Sequence, residues 1–416
     1  MSDSPPSLSF PATRAAALDA LSDFLPRTVA YAERRNYVEP GHTNVSRLSP
    51  ATRTRLLLEC EISAAARSRH GAAAVAKFGD EVWWRLYWKG WLELRSAVWR
   101  QYCDDLDALR QRQNERARAV AAGESGVAIM DHFTRELVGT GYLHNHARMW
   151  WASYWIHVER LPWQLGADFF LRHLLDGDAA SNTLSWRWVA GLHTPGKNYL
   201  VRRSNLEKYV DPALLASCRG GWSRLESPVA VELPPEPIPR AVFLEEDASL
   251  LDSLAGRSWG LWLHDEDLLP EISPLAVLRP AAVAAIAPLD LWENTHYSEP
   301  KRAYYRSALA DGASRAGKFF QCPSGLIEAD HLIKGITDWA AAGGHEYVVA
   351  LRPFTGPLAD RLPAITAALA ERGIRLVLIR RPDDVSAMNE ATAGFFKFRE
   401  KTARLREAGR PEEGGK

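Results

Sequence analysis

Residues 140–190 read TGYLHNHARMWWASYWIHVERLPWQLGADFFLRHLLDGDAASNTLSWRWVA. The stretch sets Asn145, Arg148, Asp176, Asp178 and Asn182 among six tryptophans, in sequence whose apolar residues recur at helical spacing. Charged side chains are seldom buried without partners. Ionisable groups embedded in so apolar a helical segment imply a polar ligand held inside a helical core. The plainer reading is that Arg148 and Asp176 staple two helices together.

Working outward, residues 14–222 carry the same helical texture. Segments such as EVWWRLYWKGWLELRSAVWRQY repeat apolar residues every three or four positions, and twelve of the sixteen tryptophans lie between Trp83 and Trp222. Large aromatics are mostly core filler, so their density alone proves nothing. Pro228 to Pro239, PVAVELPPEPIP, breaks the pattern and predicts an extended linker. Beyond it short apolar runs alternate with helical ones: AVFL from Ala241, WGLWLH from Trp259, AAVAAIAP from Ala281, YVVALRP from Tyr347 and RLVLIRR from Arg375. That alternation predicts an α/β unit with a largely parallel sheet. The expected organisation is a helical domain over 1–225, a proline-rich linker over 226–240, a Rossmann-like α/β domain over 241–400 and a charged, fraying tail over 401–416.

With 416 residues, 46% apolar and 25% charged, the composition is that of a water-soluble protein of two or three domains. Zero net charge hides an asymmetry: residues 1–225 hold 29 Lys and Arg against 23 Asp and Glu, and the remainder 22 against 28. A mildly basic part beside an acidic one suits local contact with an anion better than coating of nucleic acid. The N-terminus shows no secretory signal pattern, and no apolar run reaches the roughly 18 residues a membrane span needs. A cytoplasmic location is the expectation. Cys60, Cys103, Cys218 and Cys322 are scattered without a CxxC pair, so reduced thiols and no metal or cluster are expected. Neither a GxGxxG nor a Walker-type GxxxxGK phosphate loop marks the second half. There, His264-Asp265-Glu266-Asp267 follows a strand directly, where α/β sheets hold ligands. A solvated acidic turn is the simpler expectation for it.

Several blocks across roughly residues 28–210 resemble the flavin-binding helical domain of the DNA photolyase and cryptochrome family, in that family's order. Tyr31-Ala-Glu-Arg-Arg35 and Val45-Ser-Arg-Leu-Ser-Pro50 resemble its tyrosine-to-arginine pair and its TSRLSP phosphate-binding turn. Leu86-Tyr-Trp88-Lys89-Gly-Trp91 is similar to LIWREF, Gly139 to Met149 to TGWMHNRxRM, and Leu175 to Trp188 to LIDGDLAANNGGWQW. The resemblance implies bound FAD, contacted by Tyr31, Ser46, Arg47, Leu48, Ser49, Lys89, Asn145, Arg148, Asp176, Asp178 and Asn182. Ser46, Ser49 and nearby backbone N–H groups would meet the pyrophosphate at a helix start. Arg148 and Asp176 would pair facing the isoalloxazine ring, Asp178 would accept from the ring or ribitol, and Asn182 would lie beside N5. Trp186 and Trp163 would begin a tryptophan relay to the surface. The family's third member has no tryptophan here between Trp99 and Trp150, leaving Trp99 or a tyrosine to substitute.

The resemblance also implies light-driven repair of pyrimidine dimers in damaged DNA, by flipping the lesion over the flavin. Trp88, Trp188 and Met149 match the apolar part of that substrate pocket. The chain departs at the glutamate, which is Arg85 here, at an arginine replaced by His146, at the flavin-side arginine replaced by Lys89, and at Val45 in the phosphate turn. Arginine and lysine are not equivalent where a fork geometry matters. Loss of the glutamate removes an acceptor for the dimer. A non-repairing blue-light or redox sensor with a protein partner is the alternative, and a dark flavoenzyme the third. Lys197, Arg202 and Arg203 stand where the family has another motif, as phosphate contacts or a solvated basic turn. The α/β unit follows the flavin domain, whereas the family's antenna domain precedes it. Leu358 to Phe398 resembles the end of that antenna domain, which implies a circular permutation with an antenna pigment unspecified.

Overall fold

The computed structural model describes residues 8–193, 198–245 and 249–407. In the first half the longer helices are α1 (Arg14–Phe24), α2 (Glu59–His70), α3 (Ala76–Glu93), α4 (Ala97–Arg110), α5 (Ala128–Thr140), α6 (Asn145–Ser153), α7 (Trp163–His173) and α8 (Ala179–Val189). From Leu86 to Leu92 every residue of α3 is buried, because that stretch is apolar around most of its circumference. This makes α3 the central helix, with α2 and α8 packed along it. No described helix is long and apolar enough to cross a membrane.

The second half builds a five-stranded, all-parallel sheet. Its strands are β1 (Trp259–Leu263), β2 (Ala282–Pro288), β3 (Ser324–Ala329), β4 (Tyr347–Leu351) and β5 (Arg375–Ile379), in the spatial order β3-β2-β1-β4-β5. The helices here include α9 (Glu299–Phe320), α10 (Leu332–Ala342), α11 (Leu362–Ala370), α12 (Pro382–Asn389), α13 (Phe395–Lys401) and α14 (Ala403–Glu407). The period-two geometry of strands sorts the side chains. Trp262, Ala284, Ile286, Val348 and Ala350 face α10 and α11 in one core cluster. Their alternates Leu261, Leu263, Val283, Ala285, Val349 and Leu351 belong to a second cluster with α9, and that cluster is continuous with the core of the helical half.

The two halves are therefore not separate bodies on a tether. At Gly90 of α3 an added Cβ would lie 2.7 Å from the Met388 Cα, so only glycine lets α3 and α12 cross so closely. Trp84 stacks on Phe395 with ring centroids 4.0 Å apart, and Arg406 donates to Asp80 at 2.7 Å. The segment from 401, expected to fray, is thus held against α2 and α3 as far as Glu407; residues 408–416 lie outside the described residues.

Two local expectations are corrected. AVFL from Ala241 is not a strand: the Val242 N–H donates to the Leu94 carbonyl at 2.9 Å, and Val242 and Phe243 are exposed. An apolar run forms a strand only beside a free sheet edge, and this one lies along helices instead. SGLIEA, not expected as a strand, supplies β3, a half-exposed edge strand that lacks the apolar density of its neighbours. The proline-rich segment 228–240 forms neither helix nor strand, and it docks on the helical half through an Arg187–Glu236 ion pair and a Val231 N–H donated to His157 at 3.1 Å.

Candidate functional site

Helices α7 and α8 meet at the loop Leu174–Asp178. Asp178 opens α8 as its N-cap, its Oδ1 accepting from the Ser181 N–H at 2.7 Å. Asp176, two residues earlier in the loop, is buried beneath α6, where Arg148 Nη1 donates to its Oδ2 at 3.0 Å. Arg85 of α3 reaches the same loop. It donates to the Asp176 carbonyl at 3.0 Å, to Asp176 Oδ2 at 3.4 Å, and to Asp178 Oδ2. Ser49, from the phosphate-type turn, lies beside Asp176. Burial pushes both carboxyls up, but Arg148 and Arg85 outweigh it at Asp176, and Arg85 and Lys89 at Asp178. Both aspartates stay below their ordinary range.

Lys89 is 2% exposed, and its ammonium has no hydrogen-bond partner among the described residues. It sits 3.9 Å above the Phe354 ring, contributed by the loop after β4. Burial and the nearby Arg55 push it down to about 8, against Asp178 and Glu59. Asp176 Oδ1, Ser181 Oγ and Trp186 Nε1 are likewise buried without a partner among the described residues. Each such group left unmet costs about 1–3 kcal/mol, so a cluster around one motif calls for a ligand. Three donors and one acceptor, framed by tryptophans, are what a planar ring edged with carbonyl and ring-nitrogen atoms would take. The residues present fit a flavin.

The structure brings together Ser49, Arg148, Asp176, Asp178, Arg85 and Lys89. Asn182 is buried and donates through Nδ2 to the Ala167 carbonyl at 2.7 Å. In the phosphate-type turn Arg47 takes a left-handed backbone with φ of 54°, and Ser46 Oγ accepts from the Leu48 N–H at 3.4 Å. Tyr31 packs edge-on to Phe78 at 5.2 Å with Arg35 at its hydroxyl. Asn145 is exposed, its amide 3.7 Å from Met149 Sδ.

Of the residues expected to line a substrate pocket, Trp88 stands edge-on to His193 at 4.9 Å and Trp188 lies against Tyr199 at 5.7 Å. These two partners flank residues 194–197, so Lys197 lies outside the described residues. Arg85 points at Asp176 and Asp178. His146 stacks on Trp150 at 4.8 Å and bonds the Asn36 carbonyl through Nδ1 at 2.7 Å. Both side chains are thus engaged away from Trp88. Arg203 pairs with Glu207 and Glu226 on the surface, and Arg202 is exposed.

Trp186 is buried, edge-on to Phe170 at 5.1 Å; an added Cβ at Gly166 would lie 2.3 Å from its ring, so only glycine admits it there. Trp163 stacks on Tyr102 at 5.5 Å, and Tyr102 packs on Trp99 at 5.3 Å. The Trp99 indole N–H donates to Asp360 Oδ2 at 2.8 Å. A tyrosine and Trp99 thus both continue the line from Trp163.

The residues that sequence reasoning missed lie where the sheet meets this site. Arg53 and Arg55 follow the phosphate-type turn and are buried. Arg53 Nη1 lies 2.9 Å from Asp265 Oδ2, and Arg55 pairs with Asp267 at 3.2 Å and with Asp384 at 2.5 Å. Arg381 binds Asp267 with two nitrogens, at 2.9 and 2.8 Å. The acidic run after β1 is therefore neither a solvated turn nor a free ligand site but the anionic half of a buried clamp. It fills the crevice outside the carboxyl ends of β1 and β4, where the strand order reverses. A water-sized cavity remains, lined by Arg53, Asp178, Asp265, Glu266 and Tyr297 among others. Two arginines set directly before an unbroken leucine run, in RTRLLL, were the available signal. Among the described residues no group of histidine, cysteine, aspartate and glutamate is arranged to hold a metal ion.

Residues 78–213 match the family model described as the FAD binding domain of DNA photolyase. Relatives named deoxyribodipyrimidine photo-lyase include one from Agrobacterium fabrum, 35% identical over 189 residues covering 42% of this chain and 37% of the relative. One from Thermus thermophilus is 34% identical over 192 residues, covering 44% of each. The chain spans less than half the length of these curated relatives. Among solved structures, a class III photolyase from Agrobacterium tumefaciens aligns with a TM-score of 0.41 and 29% identity, over 47% of this chain and 42% of that one. A Synechocystis cryptochrome aligns with a TM-score of 0.42 and 22% identity, over 49% and 44%. The match takes in Lys89, Arg148, Asp176 and Asp178, and over this stretch the chain is similar to the FAD binding domain of DNA photolyase.

Proposed function

We propose that this chain is a FAD-dependent photolyase that splits pyrimidine dimers in DNA under blue light. The observation that carries the reading is the buried Arg148–Asp176 pair, in a motif where buried atoms of Asp176, Ser181 and Trp186, and of Lys89 on α3, have no partner among the described residues. Reduced FAD, when bound, would supply on excitation the electron that opens the dimer. The protein's own part is to bind and orient. Arg148 and Arg85 keep Asp176 ionised, Ser46 and Ser49 would meet the pyrophosphate, and the Ala167 carbonyl fixes the Asn182 amide. Trp88, Trp188 and Met149 offer apolar faces for a flipped lesion, and base–aromatic stacking of this kind contributes about 1–3 kcal/mol per base. The buried aromatic line of Trp163, Tyr102 and Trp99 would carry electrons inward toward the flavin.

The second reading, a sensor of cryptochrome type with a protein partner, is favoured by Arg85 and His146, whose side chains are engaged away from a lesion. The test is dimer clearance from irradiated oligonucleotides by protein with fully reduced flavin. Clearance under blue light alone supports repair; none, with flavin bound, selects the sensor. Absence of a flavin spectrum in purified protein overturns both. We further propose that the α/β half is a permuted antenna-type unit. Its parallel sheet and late position support this, while a pigment at the strand ends would have to displace the Arg53–Asp265 pair.

A further inference from the structure

The loop that carries Asp176 and Asp178 is not held by the helical half alone. Helix α7 stops at His173, so its last carbonyls, from Leu171 onward, lack intrahelical donors. The donors come from the α/β half. The Ser298 N–H donates to the Arg172 carbonyl at 2.9 Å. Lys301 Nζ donates to the carbonyls of Leu171 and, at 3.4 Å, Gly177. Tyr305 Oη donates to the Leu175 carbonyl at 3.2 Å. All three sit on Ser298–Tyr305, the start of α9, and their acceptors bracket Asp176 and run up to Asp178.

Lys301 is an uncommon residue for such a place. It is fully buried, with its ammonium 3.9 Å over the Tyr297 ring and hydrogen bonds to backbone carbonyls. Burial, then Arg53, push it well below the ordinary lysine range. A buried amine held by carbonyl contacts is costly to keep, so its retention asks for a purpose. The site provides one: an added Cβ at Gly177 would lie 3.3 Å from Lys301 Nζ, so the loop is shaped closely around it.

We propose that Lys301, with Ser298 and Tyr305, is the positioning unit of the flavin aspartates, so that the FAD pocket takes its shape only with the α/β half docked. This rests on the reading that Asp176 and Asp178 hold FAD. None of the three residues need touch the flavin; they act through the carbonyls of residues 171–177.

The test uses the full chain with Lys301→Met, Tyr305→Phe and, as a control, Tyr304→Phe. Tyr304 is on the same helix but bonds the Pro11 carbonyl instead, at 2.9 Å. In flavin-free protein, Lys301→Met is expected to speed amide exchange over residues 174–182. It should weaken FAD binding about 10- to 100-fold, as loss of a charge-type hydrogen bond does, and alter the visible circular dichroism of any bound flavin. Tyr305→Phe should shift the same readouts in the same direction by less, which decides the matter if Lys301→Met does not fold. Tyr304→Phe should leave them unmoved. Unchanged exchange and FAD affinity in both Lys301→Met and Tyr305→Phe would overturn the proposal, as would an equal effect of Tyr304→Phe. If the wild type binds no FAD the flavin reading fails and the positioning of a flavin site with it, while exchange over 174–182 still reports whether Lys301 holds the loop.

Discussion

Asp267 and Arg55 are 212 residues apart in the chain and 3.2 Å apart in the fold, joined across the boundary between the helical and α/β halves. Asp267 also takes two hydrogen bonds from Arg381, and Arg55 donates two more to Asp384. Removing one member of a buried ionic cluster leaves the others uncompensated, at about 3–5 kcal/mol. Asp267→Asn is therefore expected to lower the denaturation free energy by that order, measured by urea titration. Burial raises the Asp267 carboxyl, but Arg381 and Arg55 overcome it and hold it far below the carboxylate range. A carboxyl depressed in the fold contributes stability that is present above its unfolded pKa, about 3.9, and is lost as pH falls below it. The variant should lose that acid-side dependence.

Much of the fold was legible because its signals are local. Asp176-Gly-Asp178 and His144-Asn-His-Ala-Arg148 lie within contiguous motifs, and β1, β2, β4 and β5 are dense apolar runs bounded by polar residues. The clamp was not legible for the opposite reason. Arg53 and Arg55 meet acceptors 212 and 329 residues downstream, and no periodicity records such a distance. Taken alone, His264 to Asp267 has the composition of an exposed turn; only the buried arginines opposite reverse that reading. Lys301 was hidden likewise, as one cation at the polar start of a helix.

Glu266 should titrate in a separate window. Burial, with the adjacent Asp265, pushes its carboxyl up to about 7, although Arg53 and Lys89 face it and the Phe354 N–H donates to it at 2.8 Å. A carboxyl raised in the fold holds its proton more tightly there than in the unfolded chain. Its stabilising contribution is complete below the unfolded value near 4.5 and is lost as pH rises through about 7. Lys89, pushed down to about 8, acts in the other sense: neutral in the fold, it adds stability as pH climbs from there toward 10.5. Glu266→Gln should flatten the profile between about pH 4.5 and 7 by roughly 1–3 kcal/mol while leaving the alkaline rise. A profile over that range identical to wild type would refute the assignment.

The aromatic line from Trp163 ends differently from its start. The Tyr102 hydroxyl is buried without a partner among the described residues, so none of them is placed to take its proton. Trp99 has an acceptor in Asp360, bonded to the indole N–H at 2.8 Å. An oxidised indole that can release its proton is the better terminus. Trp163→Phe and Trp99→Phe should each largely abolish photoreduction of bound flavin by an external thiol, followed by absorbance under blue light. Tyr102→Phe, which keeps the ring bridge, should retain most of it. Loss in Tyr102→Phe with photoreduction retained in Trp99→Phe would place the proton release at Tyr102 instead.

Arg85 stands where the pattern that this chain resembles carries a glutamate, and placing a carboxylate there is an obvious attempt to favour dimer binding. The geometry predicts the opposite outcome. The Arg85 side chain faces Asp176 and Asp178, which it holds ionised together with Arg148 and Lys89. Arg85→Glu would remove three hydrogen bonds from that loop and set a third carboxylate beside two others. Like charges so placed cost several kcal/mol in a buried site. FAD affinity is therefore expected to fall by at least about tenfold without any gain in dimer binding. Arg85→Gln, which keeps a donor and adds no charge, should fall less. Equilibrium titration of each variant with FAD, beside binding of irradiated and intact oligonucleotides, separates the two effects. Unchanged FAD affinity together with tighter binding of irradiated DNA in Arg85→Glu would show that this position faces the lesion after all, and would return the substrate pocket to the arrangement its place in the sequence implies.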